Sequence, residues 1–471
     1  MEDFDDFADD FFSEEAREEA QRFESMLDNH QSLFFDLNTI EEIFHFYRLN
    51  GDFEKGIRLL DFAISQHPHE DDLWFKRSGL LFDLGSYSEA LQNIENALKV
   101  QPEFTPYLLH KAQILSSQGL SSQAIRLLKE VADNSDFPGE VYYQLGLIYH
   151  SIQSFPEAVE HYRKAIQISP TYEDALFEMA YCLEMDGKPE VAIEEYLKFL
   201  DDSPYSEAVW YNLGILFSKT GLHEKAIDAY DYALAIREDF SSALYNKGCS
   251  LSELGKFEEA ILVFIDALQQ DKTDTGILFS IADCYEQLED YSTARFYYRK
   301  CVSFSPEMTD AIYGIGYTLE QENRHFEAIH YYRKVTGLDE NNFDAWLSLA
   351  FCEYEVGNEQ SAYDALKTAI RLNPSDLGMW IDWAQTLQAE GKTENARDMV
   401  QEAITLNPEY PELFYLFAGL SFNLGRPKEG MVYLENALLM DMSKFPFMFE
   451  QFPDLKKDSS ILALIQQYQR K

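Results

Sequence analysis

Residues 207–240 read EAVWYNLGILFSKTGLHEKAIDAYDYALAIREDF. Shifted by 34 residues, the stretch falls on a related copy of itself, and the phase runs from residue 37 to residue 444 without an insertion or deletion. The chain therefore carries twelve consecutive units, each expected to be two amphipathic helices, A and B, joined by a tight turn. Such units share one continuous core however many are stacked, so the 471 residues need not divide into several ordinary domains.

Numbered from 1 within each unit, position 20 is the strictest column, with Gly56, ten alanines from Ala90 to Ala396, and Gly430. Position 8 is small in every unit but the first, where Phe44 stands. Helix axes approach to about 8–10 Å where side chains are small, so these two columns are expected to meet at the crossing of helix A and helix B. Position 15 is Gly in nine units, as a helix C′ residue in the left-handed region requires, and Gln153, Glu289 and Asn323 depart from it. Position 24 brings rings such as Tyr162, Tyr230 and Tyr332 into the expected core, and Pro closes seven units at position 32. Basic pairs late in helix B, namely Arg163-Lys164, Arg299-Lys300 and Arg333-Lys334, are expected to complement the carbonyl end of the helix dipole. Four of the five tryptophans share position 4; Trp383 is the exception.

In the quoted unit Trp210, Leu213, Gly214 and Phe217 fit W-x2-L-G-x2-Y, and Ala226 and Tyr230 fit A-x3-F, so the chain resembles the tetratricopeptide repeat proteins. The resemblance implies an all-α fold, a right-handed α-solenoid of antiparallel helix pairs with capping helices at both ends. It also implies that helix A lines a concave face through positions 2, 5, 6, 9, 12 and 13. Position 5 is aromatic in eight units, including Tyr143, Phe177, Tyr211, Tyr245, Phe279 and Tyr313. Asn212 and Asn246 at position 6 offer amides to a peptide backbone, while Asp283 at position 9 and Glu184 at position 12 make the same surface acidic. These ten residues are the candidate groove. The lysine and asparagine pattern by which chaperone adaptors of the family clamp a carboxylate is missing, since position 5 is never Lys and position 9 never Asn.

The net charge of −45 opposes nucleic acid and anionic membrane surfaces, and favours a protein partner of basic and apolar character. There is no apolar run of 18 residues, and the acidic start MEDFDDFADDFF lacks a basic signal region, so a cytoplasmic location is expected. Cys182, Cys249, Cys284, Cys301 and Cys352 show no paired spacing and are read as packing residues. No phosphate-binding, dinucleotide, zinc-protease or nucleophile-elbow motif occurs, and His67-Pro68-His69-Glu70 is too sparse a cluster for a metal. The expectation is a non-catalytic scaffold or adaptor without a cofactor. Two alternatives are a recruiting or regulatory subunit of an enzyme complex and a self-assembling structural protein; the oligomeric state is open.

Three segments follow from this reading. Residues 1–36 form an acidic, Phe-rich tail and capping helix, in which Ser13 is the expected N-cap and Ala16, Ala20, Phe23 and Leu27 the buried stripe. Phe4, Phe7, Phe11 and Phe12, set among carboxylates, form a candidate short recognition motif. The repeats occupy 37–442. Residues 443–471 form a C-terminal cap, with Phe445, Phe447, Phe449 and Phe452 followed by an amphipathic helix through Ile461, Leu462, Leu464, Ile465 and Tyr468.

Overall fold

The turn between paired helices shows why the phase never slips. In the second pair, Gly85 donates to the Phe82 carbonyl (2.9 Å) and Ser86 reaches back to the Leu81 carbonyl (2.8 Å), a Schellman closure. The same backward bond recurs from Asp52 to Tyr47, Leu222 to Phe217 and Arg426 to Ser421. It needs a left-handed residue at position 15, and all nine glycines there have φ between 70° and 81°. Gln153, Glu289 and Asn323 are held in the same region, at φ 59°, 60° and 59°, because the closure is kept whatever residue occupies it. A side chain there costs about 1 kcal/mol relative to glycine. Gln153→Gly is therefore expected to raise the unfolding midpoint, with Gly221→Ala lowering it; calorimetry on the two variants checks the opposite signs.

The protein is described here from a computed structural model covering residues 14–29, 33–132, 134–373 and 377–469. Ser13 and the four phenylalanines of the candidate recognition motif lie outside the described residues. Among those described, every regular element is helical. They fall into two compact units, Met1–Lys256 and Phe257–Lys471.

The first unit contains α1 (Glu14–Asp28), α2 (Leu37–Leu49), α3 (Phe53–Gln66), α4 (Asp71–Asp83), α5 (Tyr87–Val100), α6 (Thr105–Ser117), α7 (Ser121–Ala132), α8 (Pro138–Ser151), α9 (Phe155–Ile168), α10 (Glu173–Met185), α11 (Pro189–Asp202), α12 (Glu207–Lys219), α13 (His223–Ile236) and α14 (Ser241–Glu253). Each packs on the next. The second unit contains α15 (Phe257–Ala267), α16 (Thr275–Gln287), α17 (Tyr291–Phe304), α18 (Thr309–Gln321), α19 (His325–Leu338), α20 (Phe343–Glu355), α21 (Glu359–Leu372), α22 (Leu377–Ala389), α23 (Thr393–Leu406), α24 (Pro411–Asn423), α25 (Pro427–Met440), α26 (Phe445–Gln451) and α27 (Ser459–Gln469). There α15 to α21 pack in succession, as do α22 to α25, and one apolar core runs from Leu278 to Ile465. The stack of antiparallel helix pairs is that of an α-solenoid.

The small residues meet at the crossing of the paired helices as expected, and the Ser78 hydroxyl at position 8 donates to the Ala90 carbonyl at position 20 (2.8 Å). Position 20 is fully buried, as at Ala158, Ala226 and Ala328, and where position 8 is glycine the position-24 ring also lies on it. A Cβ on Gly146 would sit 2.4 Å from Tyr162, on Gly214 2.5 Å from Tyr230, and on Gly316 2.7 Å from Tyr332. Where position 8 is Ala282, the Tyr298 ring presses instead on Gly314 of the following first helix, 2.6 Å from where a Cβ would stand.

The basic pairs also do something other than cap their own helices. None stands in the last turn of α9, α17 or α19. Arg163 reaches Glu195 on α11 (2.8 Å), Lys164 pairs with Glu160 (2.7 Å), Lys300 lies over the Phe296 ring (4.6 Å) and Arg333 pairs with Glu353 on α20. A neighbouring carboxylate one turn or one helix away offers a full charge, which outcompetes the half-charge at the helix end.

At the amino end, α1 buries Ala16, Ala20, Phe23 and Met26, while the expected Leu27 is 38 % exposed. The returning segment explains the shift, since the Leu33 N–H donates to the Met26 sulfur (3.4 Å) and Phe35 packs on Phe23 (6.0 Å). At the carboxyl end Met448, Phe449, Phe452, Ile461 and Ile465 are buried on α24 and α25, whereas Leu462 faces outward. His67 is tied to the Phe35 carbonyl (3.1 Å), and no group of metal-ligating side chains is found among the described residues. The five cysteines are free, four of them buried.

Candidate functional site

The candidate residues lie on the first helices of their pairs and divide between the two units. In the first, Tyr143 on α8, Phe177 on α10, Tyr211 on α12 and Tyr245 on α14 are all half-buried. The physical reason is that position 5 faces the second helix of its own pair. Tyr143 packs on Tyr162 (5.8 Å), Phe177 on Tyr196 (6.3 Å) and Tyr211 on Tyr230 (6.1 Å) and Phe240 (4.7 Å).

The two asparagines are already engaged. Asn212 donates to the Ala208 carbonyl one turn back (2.8 Å), and Asn246 donates to the Tyr211 hydroxyl (3.0 Å), tying α14 to α12. Glu184 takes Lys219 of the next first helix (2.8 Å). Asn246 and Glu184 thus fasten neighbouring first helices to one another, while Asn212 is spent within α12. Among the large side chains left exposed on this face are Tyr181 and Met185 on α10, 48 % and 55 % exposed, at positions 9 and 13. Tyr181 leans on the His150 ring (5.2 Å), whose Nδ1 lies 3.0 Å from the Glu178 carboxylate. Neither residue carries a periodic signal, because their columns do not repeat an aromatic, although positions 9 and 13 are among those the family resemblance turns toward the groove.

In the second unit Phe279 on α16 packs on Tyr298 (5.4 Å) and Tyr313 on α18 packs on Tyr332 (5.4 Å). The Tyr313 hydroxyl meets Ser348 Oγ (3.1 Å), a link from position 5 to position 6 of the next pair like that between Tyr211 and Asn246. Asp283 is half-buried, and burial pushes its carboxyl up. Its neighbour Glu286 is more affected: burial pushes that carboxyl up to about 7, against the hydrogen bond from the Tyr298 hydroxyl (3.0 Å) and with a smaller push from the Asp283 charge. Glu320 likewise accepts from the Tyr332 hydroxyl (2.6 Å).

The shift at Glu286 has a sign. In the unfolded chain the carboxyl titrates near 4.5, so between that pH and about 7 the folded chain holds a proton the unfolded chain has released. Stability from this group therefore falls as pH rises through that window and is level above it. Glu286→Gln is expected to raise the melting temperature at about pH 8 and to leave it unchanged at about pH 4. Equal effects at both values would show that the carboxyl is not perturbed.

A stack of helix pairs with a small-residue crossing, a glycine turn and no cluster of metal ligands among the described residues defines a repeat protein of the α-solenoid class. The chain belongs to the tetratricopeptide repeat family, which matches it at residues 47–105, 139–172, 186–239, 241–274, 275–308 and 309–342. A TPR repeat-containing protein of Methanocaldococcus jannaschii is 31 % identical over 101 residues, 21 % of this chain and 31 % of that protein. The TPR repeat-containing protein YpiA of Bacillus subtilis is 30 % identical over 145 residues, 27 % of this chain and 34 % of that protein. The chain thus spans about a third of the length of these relatives. The crystal structure of YrrB, a TPR protein with an unusual peptide-binding site, is 23 % identical, covering 40 % of this chain and 97 % of YrrB with a TM-score of 0.35. Proteins of this fold mediate protein–protein interaction. No helix among the described residues is long and apolar enough to cross a membrane.

Proposed function

We propose that the chain is a non-catalytic, cytoplasmic scaffold that takes a basic and apolar protein segment along its first-helix face, and that it binds neither nucleic acid nor a cofactor. The observation that carries this reading is the exposure of two large side chains, Tyr181 and Met185, on α10, a helix that also carries Glu178 and Glu184, held by His150 and Lys219. An aromatic and a thioether supply adaptable contact area at low entropic cost, and carboxylates set orientation and encounter rate. The net charge of −45 supports the same partner chemistry.

Truncating Tyr211 or Phe279 would be a poor test, because these rings hold helices together. Tyr181→Ser with Met185→Ser is the better one. A partner captured by the intact chain and identified by mass spectrometry is expected to bind the double variant at least tenfold more weakly, with helicity unchanged. Tyr232→Ser, an exposed ring on the second helix α13, is expected to leave binding intact. Undiminished binding by the double variant overturns the reading.

A further inference from the structure

Within the second unit, α18, α20, α21 and α22 line an open cavity of about 570 Å³. Its aromatic wall is Phe351, Tyr354 and Trp383, with Tyr354 and Trp383 edge-to-face at 5.0 Å and Phe351 41 % exposed. Tyr354 and Trp383 also border a second cavity of about 350 Å³, so this ring pair is a partition between two spaces. Trp383 is the tryptophan that departs from position 4; it stands at position 7, where Leu145, Leu213 and Leu349 are buried, and it is only half-buried.

Three carboxylates reach the larger cavity. Glu320 is engaged by the Tyr332 hydroxyl, but Glu355 and Asp382 are exposed and, among the described residues, have no ion-pair or hydrogen-bond partner on their carboxylates. Two nearby carboxylates are neutralised, Glu359 by Lys392 (2.9 Å) and Glu402 by Lys367 (2.7 Å). Two uncompensated negative charges beside open aromatic faces call for a cation that can stack and accept two carboxylates together. A guanidinium does both, being planar, weakly hydrated and forked, whereas an ammonium is a compact, strongly hydrated point charge.

We infer that the cavity between α20 and α22 is a specificity pocket for an arginine side chain of the bound segment, stacked on Phe351 and Trp383 and paired with Glu355 and Asp382. The inference rests on the proposed reading that the first-helix face takes a basic segment, and it names the side chain that reading left open. The volume lies within the ordinary range of ligand sites.

The test uses the full chain and three peptides carrying fluorescein on the N-terminal amine, fluoresceinyl-Gly-Leu-Arg-Leu-Gly amide and its lysine and citrulline analogues, titrated by anisotropy. The arginine peptide is expected to bind roughly tenfold more tightly than the citrulline one, with lysine between them, and Glu355→Gln with Asp382→Asn is expected to remove the preference. Equal binding of the arginine and citrulline peptides, or a preference undiminished in that double variant, overturns the pocket. Trp383→Leu tests the stacking, and the isosteric charge variant remains decisive if the tryptophan variant fails to fold. The Tyr181→Ser, Met185→Ser chain separates the two readings. Partner binding lost there without any arginine preference removes only the pocket, and an arginine preference without partner loss removes only the α10 surface.

Discussion

Replacing Arg333 by alanine is expected to destabilise the second unit by about 3 kcal/mol, whereas replacing its partner Glu353 by leucine is expected to be neutral or stabilising. Glu353 is fully buried on α20, at position 11, where other pairs carry Tyr47, Leu183, Phe217 or Leu319. One carboxylate oxygen takes the Arg333 guanidinium from α19 and the other takes the Asn358 amide at 2.8 Å. Removing the arginine leaves a negative charge inside the stack with one neutral donor. The loss belongs at the lower end of the range for broken buried pairs, because Arg333 is itself 58 % exposed and water replaces part of its contact. Leucine at 353 removes the charge and restores the apolar side chain that the crossing elsewhere uses. Denaturant midpoints of the two single variants decide it, since destabilisation of the same size in both would mean that the ion pair is not what sets the cost.

The second large effect is expected at the carboxyl end. A Cβ on Gly419 of α24 would lie 2.1 Å from two carbons of the Phe452 ring, which is 3 % exposed and packed among Met448 and Phe449. Gly419→Ala cannot be accommodated by a small rotation, so the ring and the segment carrying it must withdraw, at about 1–3 kcal/mol. The apolar face of α24 and α25 that Met448, Phe449, Phe452, Ile461 and Ile465 cover then opens to water. Faster amide exchange across residues 445–469 is the expected signature. Combining the change with Phe452→Leu is expected to recover most of the loss, and absence of that recovery would place the clash elsewhere.

These two sites show where the linear reading stopped. The exception at position 11 was visible as a Glu in an apolar column, but its partner was not, because Arg333 belongs to the preceding pair. The same holds for Asn246, whose amide looked free for a ligand and is spent on Tyr211, 35 residues earlier. Position 5 looked like a groove stripe because it is aromatic in eight of the twelve units. The recurrence reflects a packing duty, since Tyr143, Phe177, Tyr211, Phe279 and Tyr313 each rest on the tyrosine of their own second helix. Tyr181, Met185 and Trp383, which the structure leaves open, are irregular in their columns and carry no periodic signal.

The sequence by itself determined the helices, their pairing and the turns, down to the three residues forced into the left-handed region. All of these depend on contacts within a few residues, repeated every 34. Only the tertiary structure decided which small residue meets which ring, which carboxylates are neutralised and which side chains stay exposed. Those outcomes depend on the angle and offset at which one helix pair settles on the next, and the 34-residue period is the same whichever arrangement results.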